Sequence, residues 1–120
     1  MDQYTSLPWF ELTLAGVILV VLGVPLYLRR IPRNPIYGVR FPSTFASDDV
    51  WYPINARGGR DMIVIGLIYL GLLGIGFRWG AAWSPNLRVF IPVGFMGVAL
   101  IVETIILWRA SRNLKRQLSP

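Results

Sequence analysis

The chain contains no cysteine and no histidine. Disulfides, thiolate metal sites and thiol nucleophiles are therefore excluded. Without imidazole, the commonest general base and the usual haem and zinc ligands are excluded too. Charge is also scarce: 15% of the 120 residues are charged, where a soluble domain carries about 25%. Acids are the rarest, with six against twelve basic residues, eleven of them Arg and one Lys, for a net charge of +6. Apolar residues make up 54% of the chain, and mean hydropathy is +0.52. They are gathered in three long blocks, which predicts an all-α integral membrane protein rather than a soluble domain.

The first block, Trp9 to Leu28, has Glu11 as its single charge. Twenty helical residues reach about 30 Å, the thickness of a bilayer core. Asp2 precedes the block and no Lys or Arg does, so the basic region of a signal peptide is missing; Arg29, Arg30 and Arg33 instead follow it as a stop-transfer flank. The second block runs from Met62 to about Trp83, with Asp61 as its expected N-cap, and the third from Val89 to Trp108. Pro85 and Asn86 mark a short turn, so these two helices are antiparallel neighbours. Trp9, Trp79, Trp83 and Trp108 lie at block ends, as an interfacial belt requires. Pro25 is expected to bend the first helix locally. The glycine-rich second helix, from Gly66 through Gly76 and Gly80, is expected to be the central internal contact.

Ten of the twelve cations fall in two segments, Arg29 to Arg60 and the tail from Arg109 onward. Three helices put those two segments on one side. The positive-inside rule then makes both cytoplasmic and leaves the N-terminus outside the inner (cytoplasmic) membrane. Arg placed at block ends suits anionic headgroups rather than a nucleic-acid stripe, so the bilayer is the expected partner and nucleic acid is not.

The connection from residue 29 to 61 is too long and too aromatic for a linker. It carries Ile36, Tyr37, Phe41, Phe45, Trp51, Tyr52 and Ile54, which need burial. Ser47 before Asp48 and Asp49 is a helix-start signal, an N-cap hydroxyl followed by acids at the positive end of the dipole. Pro53 and then Gly58-Gly59 limit that helix, so the expectation is a folded strap holding a short interfacial helix, followed by the membrane helix.

The run Asn34-Pro35-Ile36-Tyr37-Gly38-Val39-Arg40, then Pro42, Thr44, Ser47, Trp51, Asn55 and Gly58-Gly59, resembles the signature of the SdpI family. Phe41 stands where that pattern usually has Thr, and Pro53 interrupts the segment between Trp and Asn. The resemblance is to the family's C-terminal three-helix half. It implies a non-enzymatic membrane protein of peptide-toxin immunity or signalling, since the name-giving member confers immunity to a secreted peptide and holds a repressor at the membrane. It also singles out Asn34, Tyr37, Gly38, Arg40, Trp51 and Asn55 as the ligand, partner or structural motif.

Two charged residues stand out chemically. Arg40, in a Gly-containing turn, offers a bidentate fork for a carboxylate or phosphate, or simply meets headgroups. Glu103 lies inside an apolar helix with Ala99, Leu100, Ile106 and Leu107 around it, so no cation on its own helix neutralises it. It either takes up a proton, as a proton or ion carrier would, or pairs with a loop Arg, Arg40 by preference. Glu11 is expected to pair with Arg78 or Arg88 in the opposite leaflet. Asp48 and Asp49 point about 100° apart on a helix and are read as capping acids rather than a catalytic pair. Asn34, Trp51 and Asn55 are read as groups that shape the strap. No cofactor, metal or catalytic set is expected. Three functions are carried forward: a binder of a peptide or partner protein, an accessory subunit of a larger membrane complex, and a minimal transporter built by homo-oligomerisation.

Overall fold

The computed structural model describes residues 7–119 as three long helices joined by one folded strap and one tight turn. Helix α1 spans Trp9–Tyr27, α2 Asp48–Trp79 and α3 Pro85–Leu118. All three are long and apolar enough to cross a membrane. The molecule is 64 Å long and 22 by 19 Å across, while a bilayer with its headgroups is about 40–45 Å thick. The excess lies at the strap end, where α2 begins and α3 finishes.

Helix α1 closes without glycine. Arg29 takes the left-handed conformation at φ 59°, letting Arg29 N–H donate to the Leu26 carbonyl and Arg30 N–H to the Pro25 carbonyl. This paired arrangement is the Schellman ending, normally given to Gly. It turns the chain sharply back toward the bundle and starts the strap.

Helix α2 corrects the sequence reading. The helix that starts after Ser47 does not break at Gly58-Gly59 to leave a separate interfacial piece; one helix of 32 residues runs from Asp48 to Trp79, and Asp61 lies inside it rather than capping it. Ser47 is the N-cap residue in extended conformation, with its carbonyl accepting from Val50 and Trp51 and its side chain making no capping bond. Pro53 is only the sixth helical residue, so the one acceptor it strands, the Asp49 carbonyl, lies in the exposed first turn. Gly58 and Gly59 stay helical because packing outweighs their low propensity. A Cβ on Gly59 would lie 2.5 Å from the Gly23 carbonyl oxygen and 2.5 Å from the Tyr27 nitrogen of α1. A Cβ on Gly58 would lie 2.8 Å from Val39 of the strap and 3.1 Å from Leu107 of α3. One glycine admits α1, the next admits the strap and α3.

The central position of α2 is as the sequence suggested, with Gly66 among the contacts, joined by Gly59. Gly16 and Gly23 of α1 meet Gly66 and Gly59 of α2, whereas Gly71 and Gly74 face open space. Tyr69, almost fully buried, donates its hydroxyl to the Leu12 carbonyl at 2.7 Å and locks α1 to α2 a few turns from the strap.

Helix α3 also exceeds its expected span. Ser84 caps its start by accepting from Leu87 N–H, Pro85 fills the first position, and the tail expected after Trp108 is helical to Leu118. The apolar middle of α3 is hardly covered by the rest of the chain. Its firm contacts are at its ends. At the turn, Arg88 Nε donates to the Gly80 carbonyl at 2.6 Å. At the strap end, Leu107 joins Val50 and Ile54 in a buried cluster, and Ser111 Oγ meets Ser43 Oγ at 2.5 Å. The strap and the end of α3 therefore lie together, with ten of the twelve cations, as charge counting predicted.

Candidate functional site

The strap is held by side chains that reach backbone, and these are the motif residues. Asn34 Oδ1 accepts from the N–H groups of Ile36 and Tyr37 at 2.9 and 2.6 Å; its Nδ2 donates to the carbonyls of Pro32 and Tyr37, both at 2.8 Å. Such Asx turns use Asn because a short amide can bridge its own backbone in both senses. Tyr37 then donates its hydroxyl to the Leu22 carbonyl of α1. Burial pushes the Tyr37 phenol above its ordinary pKa.

Gly38 follows with φ +123°, a conformation side chains rarely adopt, and a Cβ there would sit 2.6 Å from Asn55 Oδ1. Asn55, 2% exposed, presents its amide to the strap as a strand would. Its Oδ1 accepts from Val39 N–H at 2.5 Å, and its Nδ2 donates to the carbonyls of Val39 at 3.3 Å and Trp51 at 3.0 Å. Trp51 is fully buried and donates Nε1–H to the Ile31 carbonyl at 2.8 Å. Arg33 closes the far side, donating to the Phe45 carbonyl at 3.0 Å and pairing with Asp48 at 2.9 Å. The sequence had given Asp48 a capping role only.

Pinned in this way, residues 38–41 roof a cavity of about 280 Å³. Leu19 of α1, Gly58 and Met62 of α2, and Leu100, Glu103, Thr104 and Leu107 of α3 complete its walls. The lining is apolar except for Arg40, Glu103 and Thr104, and the Thr104 hydroxyl is already committed to the Leu100 carbonyl. The two residues favoured from sequence thus lie on one cavity.

They do not pair. Arg40 is exposed and its guanidinium donates to the Pro35 carbonyl, tying the turn together and leaving most of its five donors free. Among the described residues the ion pairs are Arg33–Asp48 and Arg60–Asp61, so the expected Arg40–Glu103 pair is absent. Glu103 instead meets the carboxyl of Asp61 on α2, within electrostatic reach of Arg57 and Arg60. Its Oε1 is buried with no hydrogen-bond donor. Glu11 likewise has no ion pair with Arg78 or Arg88. Arg78 lies over the Trp79 ring at 5.4 Å, and Arg88 is engaged with Gly80.

Sequence reasoning missed Asp61 as the neighbour of Glu103, having spent it on a cap. The sequence carries no signal for this register; the structure supplies it. Gly58 faces Leu107, and α2 and α3 are antiparallel, so one turn onward along α2 meets one turn back along α3: Asp61 against Glu103. Asn34, Tyr37, Gly38, Trp51 and Asn55 come together as the frame of the strap, while Arg40 and Glu103 face the space beneath it.

Residues 30–108 match the model of the SdpI/YfhL protein family. No curated protein matches the chain. No solved structure does either.

Proposed function

This chain belongs to the SdpI/YfhL family, and on that footing we propose that it is a binding protein of the membrane that uses the cavity under its strap to hold a segment of a peptide or partner protein. It acts by binding rather than by chemistry, as an immunity or signalling protein does. Its three apolar helices cross the cytoplasmic membrane with the strap and the end of α3 inside, where the positive-inside rule puts a surface bearing ten of twelve cations.

The observation that carries the reading is Glu103, an acid on the wall of a mostly apolar cavity, whose buried Oε1 has no hydrogen-bond partner. Buried acceptors are nearly always satisfied, and two facing carboxyls, Glu103 and Asp61, either share a proton or take a cation from outside the chain. An ammonium or guanidinium on a peptide supplies one, and Arg40 at the rim suits a carboxylate of the same segment. Apolar walls take the rest of the segment.

The test is protection of cells. Deleting the gene is expected to sensitise cells to a secreted, envelope-active peptide. Restoring the wild-type chain should reverse this, while Glu103→Gln and Arg40→Ala should each lose roughly tenfold or more in protection at equal membrane levels. A deletion strain with unchanged sensitivity to every such peptide tried would remove immunity from the account. Protection that survives both substitutions would remove the cavity from it.

The exposed middle of α3 gives the accessory-subunit reading its own support, because its apolar stretch is hardly covered by this chain and leaves a long face for another membrane protein. Native mass spectrometry of gently extracted protein separates the readings. A fixed assembly with other subunits favours the second, and a single chain or small homo-oligomer the first.

A further inference from the structure

Beyond the cavity, a larger concavity lies outside the bundle, between the strap and the final turns of α3. It encloses about 540 Å³ and is lined by Pro42, Ser43, Trp108, Arg112, Lys115 and Arg116. Its shape is fixed. Ser111 is fully buried and donates to the Trp108 carbonyl at 2.8 Å, so the Ser43 hydroxyl is the donor in the 2.5 Å contact between the two serines, which fastens the strap to α3. Because α3 continues unbroken to Leu118, Arg112, Lys115 and Arg116 are carried on a rigid helix rather than a loose tail. Positions 108, 112 and 115/116 recur at helical spacing on one face.

The charge there is one-sided. No acidic residue follows Glu103 in the sequence, and none of these three cations has an ion-pair partner among the described residues. The Arg112 guanidinium lies 4.8 Å from the centre of the Trp108 ring. Stacking on the ring face leaves its N–H edges free for an acceptor. Trp108 ends the apolar stretch of α3, so the concavity opens at headgroup level, with an apolar floor of Trp108 and Pro42 beneath a cationic rim.

We propose that this concavity is a binding site for the phosphate of an anionic phospholipid headgroup. Arg112, Lys115 and Arg116 hold the phosphate oxygens by charge-assisted hydrogen bonds, and the apolar floor takes the start of the acyl-glycerol. Cations immediately beyond a membrane helix recruit anionic lipid in general; the strap, fixed by Ser43, turns that diffuse attraction into one seat.

The test is native mass spectrometry of the full chain in detergent, titrated with phosphatidylglycerol, phosphatidylcholine or inorganic phosphate. One phosphatidylglycerol per chain should be retained in preference to phosphatidylcholine. Arg112→Gln with Arg116→Gln should weaken retention about tenfold or more, whereas Arg29→Gln with Arg30→Gln, an equal loss of charge from the same end of the molecule, should change it less than about twofold. Equal loss in both double variants would reduce the site to diffuse attraction. Equal retention of phosphatidylcholine would remove charge recognition, and displacement of the lipid by millimolar phosphate would make it a site for the free anion; each overturns the proposal.

Discussion

Replacing Trp51 with alanine is expected to free the strap and cost about 3–5 kcal/mol, the range for emptying a buried Trp site. The indole is fully buried, lies beneath Gly38, meets Phe45 with ring centroids 5.5 Å apart, and donates to Ile31. It is therefore the object around which residues 31–45 are wrapped, and its loss leaves a void and an unpaired carbonyl together. Trp51→Phe keeps most of the bulk and loses the N–H, so about 1 kcal/mol is expected. Thermal unfolding in detergent reads both. Limited trypsin digestion after Arg33 and Arg40 reads the strap itself, with rapid cleavage expected in the alanine variant and slow cleavage in the phenylalanine one. Equal protease resistance in the alanine variant and the wild type would mean that Trp51 does not hold the strap.

Adding a single methyl group at Gly59 is also expected to destabilise the fold, by less than removing that indole. In Gly59→Ala the new Cβ meets backbone of α1, at Gly23 and Tyr27, and not the end of a flexible side chain. The helices must separate, and overpacking of this kind costs about 1–3 kcal/mol. In the membrane that separation also forfeits the van der Waals contact by which helices associate. Gly71→Ala is the matched control, since nothing lies within 4 Å of its Cβ. It should be neutral or stabilising by up to about 1 kcal/mol through helix propensity. A lower melting temperature for Gly59→Ala with no loss for Gly71→Ala is the expected pair of results. Equal effects would show that α1 does not pack on the Gly59 face.

The membrane spans were legible because apolar block length is set by bilayer thickness, and the shared end of strap and tail because charge placement follows it. The turns of the strap were legible at Asn34 and Gly38, whose chemistry is local. The extent of α2 was hidden by local rules that packing overrides. Pro53 and Gly58-Gly59 each argue for a break, yet burial at Trp51, Asn55, Gly59, Gly66, Tyr69, Leu73 and Gly76 keeps one helical period throughout. Reading the period across the punctuation would have joined the two pieces. Arg40 and Glu103 were both found, but their pairing was not, because a shared leaflet fixes depth and leaves direction around the helix axis open. That direction came from Gly58 against Leu107, a contact between segments about fifty residues apart.

The central claim is that the cavity beneath the strap receives a segment from another molecule. It is tested most directly by placing a photoreactive benzoylphenylalanine at Phe41, which lines that cavity and is already aromatic, and at Val98, which is 63% exposed on the apolar face of α3. After irradiation of native membranes, adducts are separated by mass. A discrete peptide or protein adduct at Phe41, absent at Val98 and lost on adding Glu103→Gln, is the predicted result. Lipid adducts alone at both positions, or the same protein adduct from both, would contradict the claim.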